Sequence, residues 1–172
     1  MFKKKNKTSQ QVKQQARRNL SSNFTKQKET YVLDTSAAIS KFISKLIKKG
    51  LQGKLIIPNA VMAEMENLAN KGKEEGFIGL EEIANLHKIK KNFPIQIHFQ
   101  GSRPNEMQIR YAKSGEIDSV IRDTAILNNA TLITADLVQA KTSQAYNIPV
   151  IFLKPKQEKE RKRNFLFWKR KK

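Results

Sequence analysis

Apolar residues between positions 31 and 153 follow two periodicities, which predict strands alternating with helices. Short apolar runs bounded by turn residues are typical of buried strands, and strict alternation is typical of a half-buried one. Apolar residues that recur every three or four positions predict the helices. The predicted strands are 31–33, 55–57, 95–99, 131–134 and 150–152. The predicted helices are 36–49, 60–69, 78–91, 104–113, 116–129 and 136–146.

The order of these elements predicts the fold class. Strands separated by helices need crossover connections, which indicates an α/β fold with a mainly parallel central sheet and helices on both faces. The first helix is predicted to run unbroken to Gly50, with Thr35 or Ser36 as its N-cap. The length of 172 residues suits one domain of this kind.

Charge is distributed unevenly and divides the chain into three parts. The formal net charge is +19, of which residues 1–30 and residues 154–172 each contribute +8. We therefore predict a basic disordered or transiently helical tail at 1–30, a domain at 31–153, and a basic-aromatic tail at 154–172. The last tail sets Phe165–Trp168 between basic clusters. That pattern suits a solvated tail with an apolar plug, a nucleic-acid arm, or an anchor on acidic lipid.

Composition excludes several classes of protein. The chain contains no cysteine, which excludes a disulfide scaffold, thiol catalysis and cysteine-ligated zinc. No apolar run reaches the roughly 18 to 20 residues that a transmembrane helix needs. The N-terminus is charged but lacks the apolar stretch of a secretory signal. We therefore expect a soluble cytoplasmic protein without a transmembrane segment.

Four acidic residues stand where a parallel sheet binds ligands. Asp34 directly follows the first predicted strand, and Asp136 lies two residues beyond the end of the fourth. Ligands of open parallel sheets bind beyond the carboxyl ends of the strands. Glu64 lies one turn into the helix after the second strand, and Asp118 lies in the first turn of the helix before the fourth. All four are therefore able to converge on one cleft.

Each acid taken alone also has a structural explanation. Asp34 suits a helix cap, Asp118 and Asp136 suit first turns where the helix dipole favours acids, and Glu64 suits a solvent-facing helix surface. Carboxylates that gather repel each other and need a cation to remain charged together. Oxygen ligands favour a hard divalent ion, so the set predicts Mg²⁺ or Mn²⁺ as the cofactor.

The residues around these acids resemble those of a known family. The segments VLDTSAAI, IIPNAVMAEMENLA, GEIDSVIRDTAI and LITADLVQA, in this order, resemble a PIN domain, a metal-dependent ribonuclease family. Within it, residues 31–155 resemble the PIN module that opens archaeal PIN–ATPase–KH proteins, most strongly in NKGKEEGFIGLEEI and from Gly115 to Pro155. The resemblance implies a three-layer PIN-like sandwich. The chain has no G-x-x-x-x-G-K-[ST] motif, so an ATP-driven activity is not implied.

The resemblance also implies roles for individual residues. The metal-binding and catalytic acids of the family fall on four positions of this chain: Asp34, Glu64, Asp118 and Asp136. Thr35 and Ser36 match the hydroxyl residues that usually follow the first aspartate. Together with Thr134 they are expected to orient carboxylates or waters around the metal.

Other acids and the two histidines are not expected in the site. Asp123 lies about 140° around the helix from Asp118, and Glu116 flanks the start of that helix as a dipole-favoured acid or a support for a metal-bound water. Glu66 is predicted to face solvent. His87 and His98 are too few and too differently placed for a metal cluster.

These observations lead to one leading hypothesis and two alternatives. The leading one is a Mg²⁺- or Mn²⁺-dependent endoribonuclease that cleaves single-stranded RNA, with the basic tails supplying RNA affinity. The first alternative is an RNA- or ribosome-binding module, held on ribosomal RNA or a ribonucleoprotein, with little or no catalysis. The second is a toxin of a toxin–antitoxin pair. The family resemblance also implies pairing into a homodimer.

Overall fold

The computed structural model describes residues 29–111 and 115–154. The interpretations of the basic flanks concern residues 1–28 and 155–172, which lie outside the described residues. Twelve elements follow one another in these ranges: β1 Thr30–Leu33, α1 Thr35–Ile39, α2 Ile43–Lys48, β2 Gly53–Pro58, α3 Asn59–Asn70, α4 Glu74–Ile89, β3 Ile95–Gln100, α5 Glu106–Tyr111, α6 Glu116–Leu127, β4 Thr131–Thr134, α7 Leu137–Ala145 and β5 Val150–Phe152.

The five strands form one parallel sheet in the order β3-β2-β1-β4-β5. Because crossover helices cover a parallel sheet on both faces, its central strands are apolar on both sides. Leu33 of β1, Ile56 and Ile57 of β2 and Ile133 of β4 are accordingly fully buried. The prediction of an α/β fold with a parallel sheet flanked by helices is confirmed.

Strand order places a topological switch point between β1 and β4. From β1 the chain moves outward to β2 and then β3, and it returns to the other side of β1 to form β4 and β5. Connections that leave in opposite directions open a crevice at the carboxyl ends of the two adjacent strands. Asp34 follows β1 and Asp136 lies two residues after β4, so both residues belong to this crevice.

The prediction of one continuous first helix is wrong, because the structure divides this segment into α1 and α2. Lys41 lies between them with a φ of 55°, a left-handed conformation that a continuous helix does not allow. The hydroxyl of Ser40 donates to the carbonyl of Ala37 at 2.6 Å, a local bond that competes with helical continuation. The break lets Ile43 and Ile47 of α2 become fully buried.

The remaining elements agree with the predicted ones to within a few residues. The largest differences are α4, which begins at Glu74 rather than near residue 78, and α5, which begins at Glu106. Within the described ranges, no helix is both long and apolar enough to cross a membrane.

Candidate active site

Asp34 is the buried centre of the candidate site, with 3% of its surface exposed. It is the N-cap of α1, and its Oδ1 accepts a hydrogen bond from the backbone N–H of Thr35 at 2.8 Å. Its Oδ2 accepts from the hydroxyls of Ser36 at 2.5 Å and Thr134 at 2.6 Å. The sequence prediction that Thr35 or Ser36 caps this helix is therefore wrong, because the aspartate before them supplies the capping oxygen.

The hydroxyls of Ser36 and Thr134 connect the ends of β1 and β4. Ser36 Oγ lies 3.1 Å from Thr134 Oγ1 and accepts from the backbone N–H groups of Ala135 at 2.9 Å and Asp136 at 3.1 Å. The N–H of Asp136 also lies 3.0 Å from Thr134 Oγ1. These bonds fix the start of the β4–α7 connection against Asp34.

Glu64 approaches the same crevice from α3. Its Oε2 accepts from the hydroxyl of Thr35 at 2.7 Å, and the side chain is half-buried. Thr35 therefore links two carboxylates, because its N–H bonds to Asp34 and its hydroxyl bonds to Glu64. About one and a half turns of helix after β2 bring Glu64 to Thr35, the second residue after β1.

Asp118 of α6 and Asp136, which follows β4, complete the group. Asp118 is half-buried in the first turn of α6. Asp136 is exposed and caps α7, with its Oδ1 accepting from the N–H groups of Val138 at 2.6 Å and Gln139 at 3.0 Å. Asp118 lies in the first turn of a helix and Asp136 caps a helix, so both acids have the structural role that the sequence suggested. Having that role does not prevent them from lying close to Asp34.

The acids influence one another electrostatically. Burial raises the pKa of Asp34, and the charge of Asp136 raises it further against three hydrogen bonds that lower it. Burial also raises the pKa of Glu64, with smaller contributions from the charges of Asp34 and Asp118. The pKa of Asp118 is raised first by burial and then by the charges of Asp34 and Asp136. Asp34 and Asp118 therefore lie within electrostatic reach of each other, of Glu64 and of Asp136.

The structure does not place these carboxylates as a complete metal shell. Within residues 29–111 and 115–154, no three acidic, histidine or cysteine side chains lie close enough together to hold one ion. The oxygens of Asp34 and Glu64 instead accept hydrogen bonds from hydroxyls and a backbone N–H. The donor set is nevertheless made only of oxygens, which matches the ligand preference of Mg²⁺ and Mn²⁺.

The acids and histidines that the sequence placed outside the site lie elsewhere. Asp123 is exposed on α6. Glu66 pairs with Arg103, so it does not simply face solvent as predicted. Glu116 lines a cleft of about 570 Å³ between α6 and the loop after β3. His87 and His98 lie on α4 and β3 and belong to neither wall of the crevice.

Gln139 and Arg122 support the site, and sequence analysis missed both. The side chain of Gln139 is buried; its Nε2 donates to the backbone carbonyl of Asp118 at 3.0 Å, and its Oε1 accepts from Arg122 at 2.7 Å. Its N–H also bonds to Asp136, so Gln139 ties two of the acids together. The D-x-x-Q spacing from Asp136 to Gln139 could have marked it as a capping pair. In the structure the glutamine side chain reaches across to α6 instead.

Comparison with known proteins agrees with this geometry. The PIN domain family matches residues 31–150. The chain belongs to the PIN domain family. PIN domains are in general nucleases and typically use divalent metal ions, which agrees with a crevice of oxygen donors at the switch point of the sheet.

Two relatives of this PIN domain come from archaea. An uncharacterized KH and PIN-domain containing protein from Methanocaldococcus jannaschii is 38% identical over 128 residues, 73% of this chain. A Holliday junction branch migration ATPase from Sulfolobus acidocaldarius is 26% identical over 127 residues. The chain spans only 20% and 23% of these two relatives. The predicted resemblance to archaeal PIN modules is confirmed.

A solved structure shows the same fold. A domain of a functionally unknown protein from Methanocaldococcus jannaschii superposes with a TM-score of 0.71 at 36% sequence identity. The match covers 76% of this chain and 94% of that domain. The structural match therefore agrees with the family match.

The raised pKa values of the PIN crevice predict that stability without metal increases in mild acid. A carboxyl whose pKa is raised by folding binds its proton more tightly in the folded state, so its stabilising contribution is lost as the pH rises through that pKa. In EDTA, Glu64→Gln removes one such charge and should stabilise the protein at pH 7.5 by about 1 kcal/mol. The gain should shrink at pH 5, where wild-type Glu64 is increasingly protonated.

Urea unfolding at the two pH values checks this expectation. Glu75→Gln is the matched control, because Glu75 is an exposed glutamate in the first turn of α4, outside the crevice. A stabilisation by Glu64→Gln that is equal at pH 5 and pH 7.5 would contradict the interpretation.

Proposed function

We propose that the protein is a divalent-metal-dependent endoribonuclease that cleaves single-stranded RNA. The observation that carries the proposal is the electrostatic coupling of four carboxylates at the switch point of a PIN fold. Without a cation this arrangement costs stability, because burial and like charge both disfavour the ionised carboxylates. Four acids gathered at that cost fit a metal-binding role better than four separate structural roles as helix caps, a first-turn acid and a surface residue.

In this proposal, Asp34, Glu64, Asp118 and Asp136 hold one or two Mg²⁺ or Mn²⁺ ions. Such an ion supplies an activated water for attack on the phosphodiester and neutralises charge on the leaving oxygen. Since no three acidic side chains in the described ranges are close enough to share an ion, binding requires carboxylates to turn from their present partners. Asp34 and Glu64 would then exchange hydroxyl hydrogen bonds for metal coordination.

The neighbouring residues keep the carboxylates in place before metal binds. Ser36 and Thr134 hold Asp34, Thr35 holds Glu64, and their hydroxyls are able to rotate when a carboxylate turns. Gln139 fixes the backbone of Asp118 relative to the cap of α7. This support limits the movement required to side-chain torsions.

Two observations support single-stranded RNA as the substrate: the positive charge of residues 154–172 and the KH domain of a relative. β5 ends at the same edge of the sheet as the crevice, so the chain leaves the described fold there, and residues 154–172 carry a net charge of +8. Cations in that number supply phosphate affinity that an acidic crevice lacks. A relative named for its KH domain contains a module that binds single-stranded nucleic acid. Binding to ribosomes or ribonucleoproteins and pairing as a homodimer remain predictions.

Cleavage assays with a matched pair of variants test the proposal. Unstructured RNA, double-stranded RNA and single-stranded DNA are incubated with the protein in Mg²⁺, Mn²⁺ or EDTA. We expect cleavage of the unstructured RNA that requires the metal and falls at least about 100-fold in Asp118→Asn. Asp123→Asn removes the same charge from the exposed surface of the same helix and should retain activity.

The results separate the proposal from its alternatives. Equal activity in Asp118→Asn and the wild type would refute the mechanism, and cleavage of DNA alone would refute the substrate. The lack of a preformed metal shell in the described ranges favours a second candidate function, an RNA- or ribosome-binding module with little or no catalysis. RNA binding without cleavage in Mg²⁺ or Mn²⁺ is the result that this alternative predicts.

A further inference from the structure

An acid-free stretch of the chain forms one edge of the sheet. No aspartate or glutamate occurs between Glu82 and Glu106. The structure arranges this stretch as the last turns of α4, the edge strand β3 and the loop that follows. The solvent-accessible cationic and aromatic side chains at the end of α4, with the ring of β3 that stacks on this helix, make up what we call the β3 edge surface: His87, Lys88, Lys90, Lys91 and Phe99.

Three lysines form the cationic part of this surface. Lys88, Lys90 and Lys91 are exposed at the C-terminal end of α4, and within the described ranges none of them forms an ion pair with a carboxylate. The dipole of α4 favours cations at this end of the helix. Because no acid of the same stretch compensates them, the three charges are available to phosphate groups.

A ring pair includes His87, the residue before Lys88. The rings of His87 and Phe99 are stacked, with centroids 5.9 Å apart and an interplanar angle of 17°. Phe99 remains 45% exposed although the residues before it on the same face, Ile95 and Ile97, are buried and half-buried. A large aromatic ring that stays accessible beside cations is the combination by which proteins hold unpaired bases.

The position of this surface links it to the crevice. Ile95 pairs with Gly53 at the amino end of the sheet, and β3 then runs about 17 Å to the carboxyl end. The loop after β3 carries Arg103, which lines the cleft of about 570 Å³ whose opposite wall is α6, the helix of Asp118. A single strand lying along β3 therefore leads from the lysines towards the candidate site.

We propose that the β3 edge surface is a second binding surface for single-stranded RNA, in which the lysines bind phosphates and the stacked His87–Phe99 pair supports a base. The surface lies outside the carboxylate crevice and contributes no group to the reaction. The inference rests on RNA as the proposed partner, but it does not require that the protein cleaves it.

Binding measurements in EDTA test the surface in the full-length protein, since cleavage is then suppressed. The probe is a fluorescent, unstructured 20-nucleotide RNA titrated at several salt concentrations. The triple variant Lys88→Gln, Lys90→Gln, Lys91→Gln should bind about tenfold more weakly at 0.15 M salt. Its log–log salt slope should fall by up to about 2, since each phosphate contact to a single strand contributes about 0.7.

The matched control removes the same number of charges elsewhere. Lys71→Gln, Lys73→Gln, Lys141→Gln changes three exposed lysines, two of them at the opposite end of the 16-residue α4. This control should keep the wild-type salt slope. Phe99→Leu should weaken binding about tenfold and leave the slope unchanged, because stacking releases no counterions. Thermal unfolding of each variant verifies that it is folded.

The results can refute the β3 edge surface and the nuclease proposal independently of each other. An equal decrease of the salt slope in the two triple variants would refute the β3 edge surface, since RNA affinity would then depend on the total charge of the protein and not on where the lysines lie. Lost binding to phosphatidylglycerol vesicles with unchanged RNA binding would also refute it and identify a membrane surface. A wild-type protein that shows the expected lysine and Phe99 effects, but does not cleave RNA in Mn²⁺, would refute the nuclease proposal and leave this inference standing.

Discussion

Asp34→Asn should abolish metal-dependent cleavage while making the metal-free protein more stable. Asp34 is 3% exposed, and burial is the largest cause of its raised pKa. An asparagine keeps the size of the side chain and an oxygen to accept from Thr35, and it removes the buried charge. Its amide nitrogen replaces Oδ2, so the hydroxyls of Ser36 and Thr134, which donate to that oxygen, have to rotate. We expect a gain of about 1 kcal/mol in EDTA at pH 7.5 and a loss of activity of at least about 1,000-fold.

The response of stability to Mn²⁺ gives a readout that is independent of activity. A ligand that binds only the folded state stabilises it by about 2.7 kcal/mol at 100 times its dissociation constant. The wild type should therefore melt at a higher temperature in Mn²⁺, and Asp34→Asn should respond far less. Asp123→Asn, with the same chemical change at an exposed position, should respond as the wild type does. An Mn²⁺ shift that survives in Asp34→Asn would place the metal elsewhere.

Gly76→Ala should destabilise the protein strongly, because the added methyl group meets the backbone of a neighbouring helix. A Cβ at Gly76 would lie 2.3 Å from the backbone nitrogen of Ala69 and 2.6 Å from the carbonyl oxygen of Met65, both in α3. Backbone cannot rotate away as a side chain does, so the α3–α4 hairpin must separate. We expect a loss of about 3 kcal/mol in the free energy of unfolding, measured by urea denaturation.

Gly79→Ala is the natural control for this prediction. It lies one turn further along α4, and its Cβ would meet the sulfur of Met65 at 2.3 Å, near the end of a flexible side chain. Methionine adapts its torsions easily, and alanine is favoured over glycine inside a helix by up to about 1 kcal/mol. The cost should therefore be under about 1 kcal/mol. Equal losses of stability in Gly76→Ala and Gly79→Ala would show that the close backbone contact does not limit the packing of α4 against α3.

Local sequence patterns predicted most of the fold because each element carries its own signal. The runs at β2 and β4 are apolar on both faces, and only a strand between two helical layers buries such a run completely. The break between α1 and α2 was not predicted, because Ile39 and Ile43 keep helical spacing across it. The bond from Ser40 to the carbonyl of Ala37 and the left-handed Lys41 depend on how α2 packs into the core.

The candidate site was predictable only in part. Asp34 and Asp136 follow strands, so the general rule for parallel sheets was enough to place them at one edge. Their positions at helix starts also indicated capping, but the hydrogen bonds to Ser36 and Thr134 needed coordinates. Gln139 was missed because its partners, Asp118 and Arg122, are distant in sequence and belong to another helix.

The sequence by itself determined the order of strands and helices, the membership in the PIN family and the identity of four acids at strand ends and helix starts. These features depend on neighbours within a few positions, where periodicity and turn chemistry act directly. The tertiary structure alone decided which hydroxyls hold Asp34 and Glu64, that burial and neighbouring charges raise the pKa values of Asp34, Glu64 and Asp118, and that the exposed ring of Phe99 stacks on His87 of α4. Distances between residues far apart in the chain are set by packing, and no local pattern encodes them.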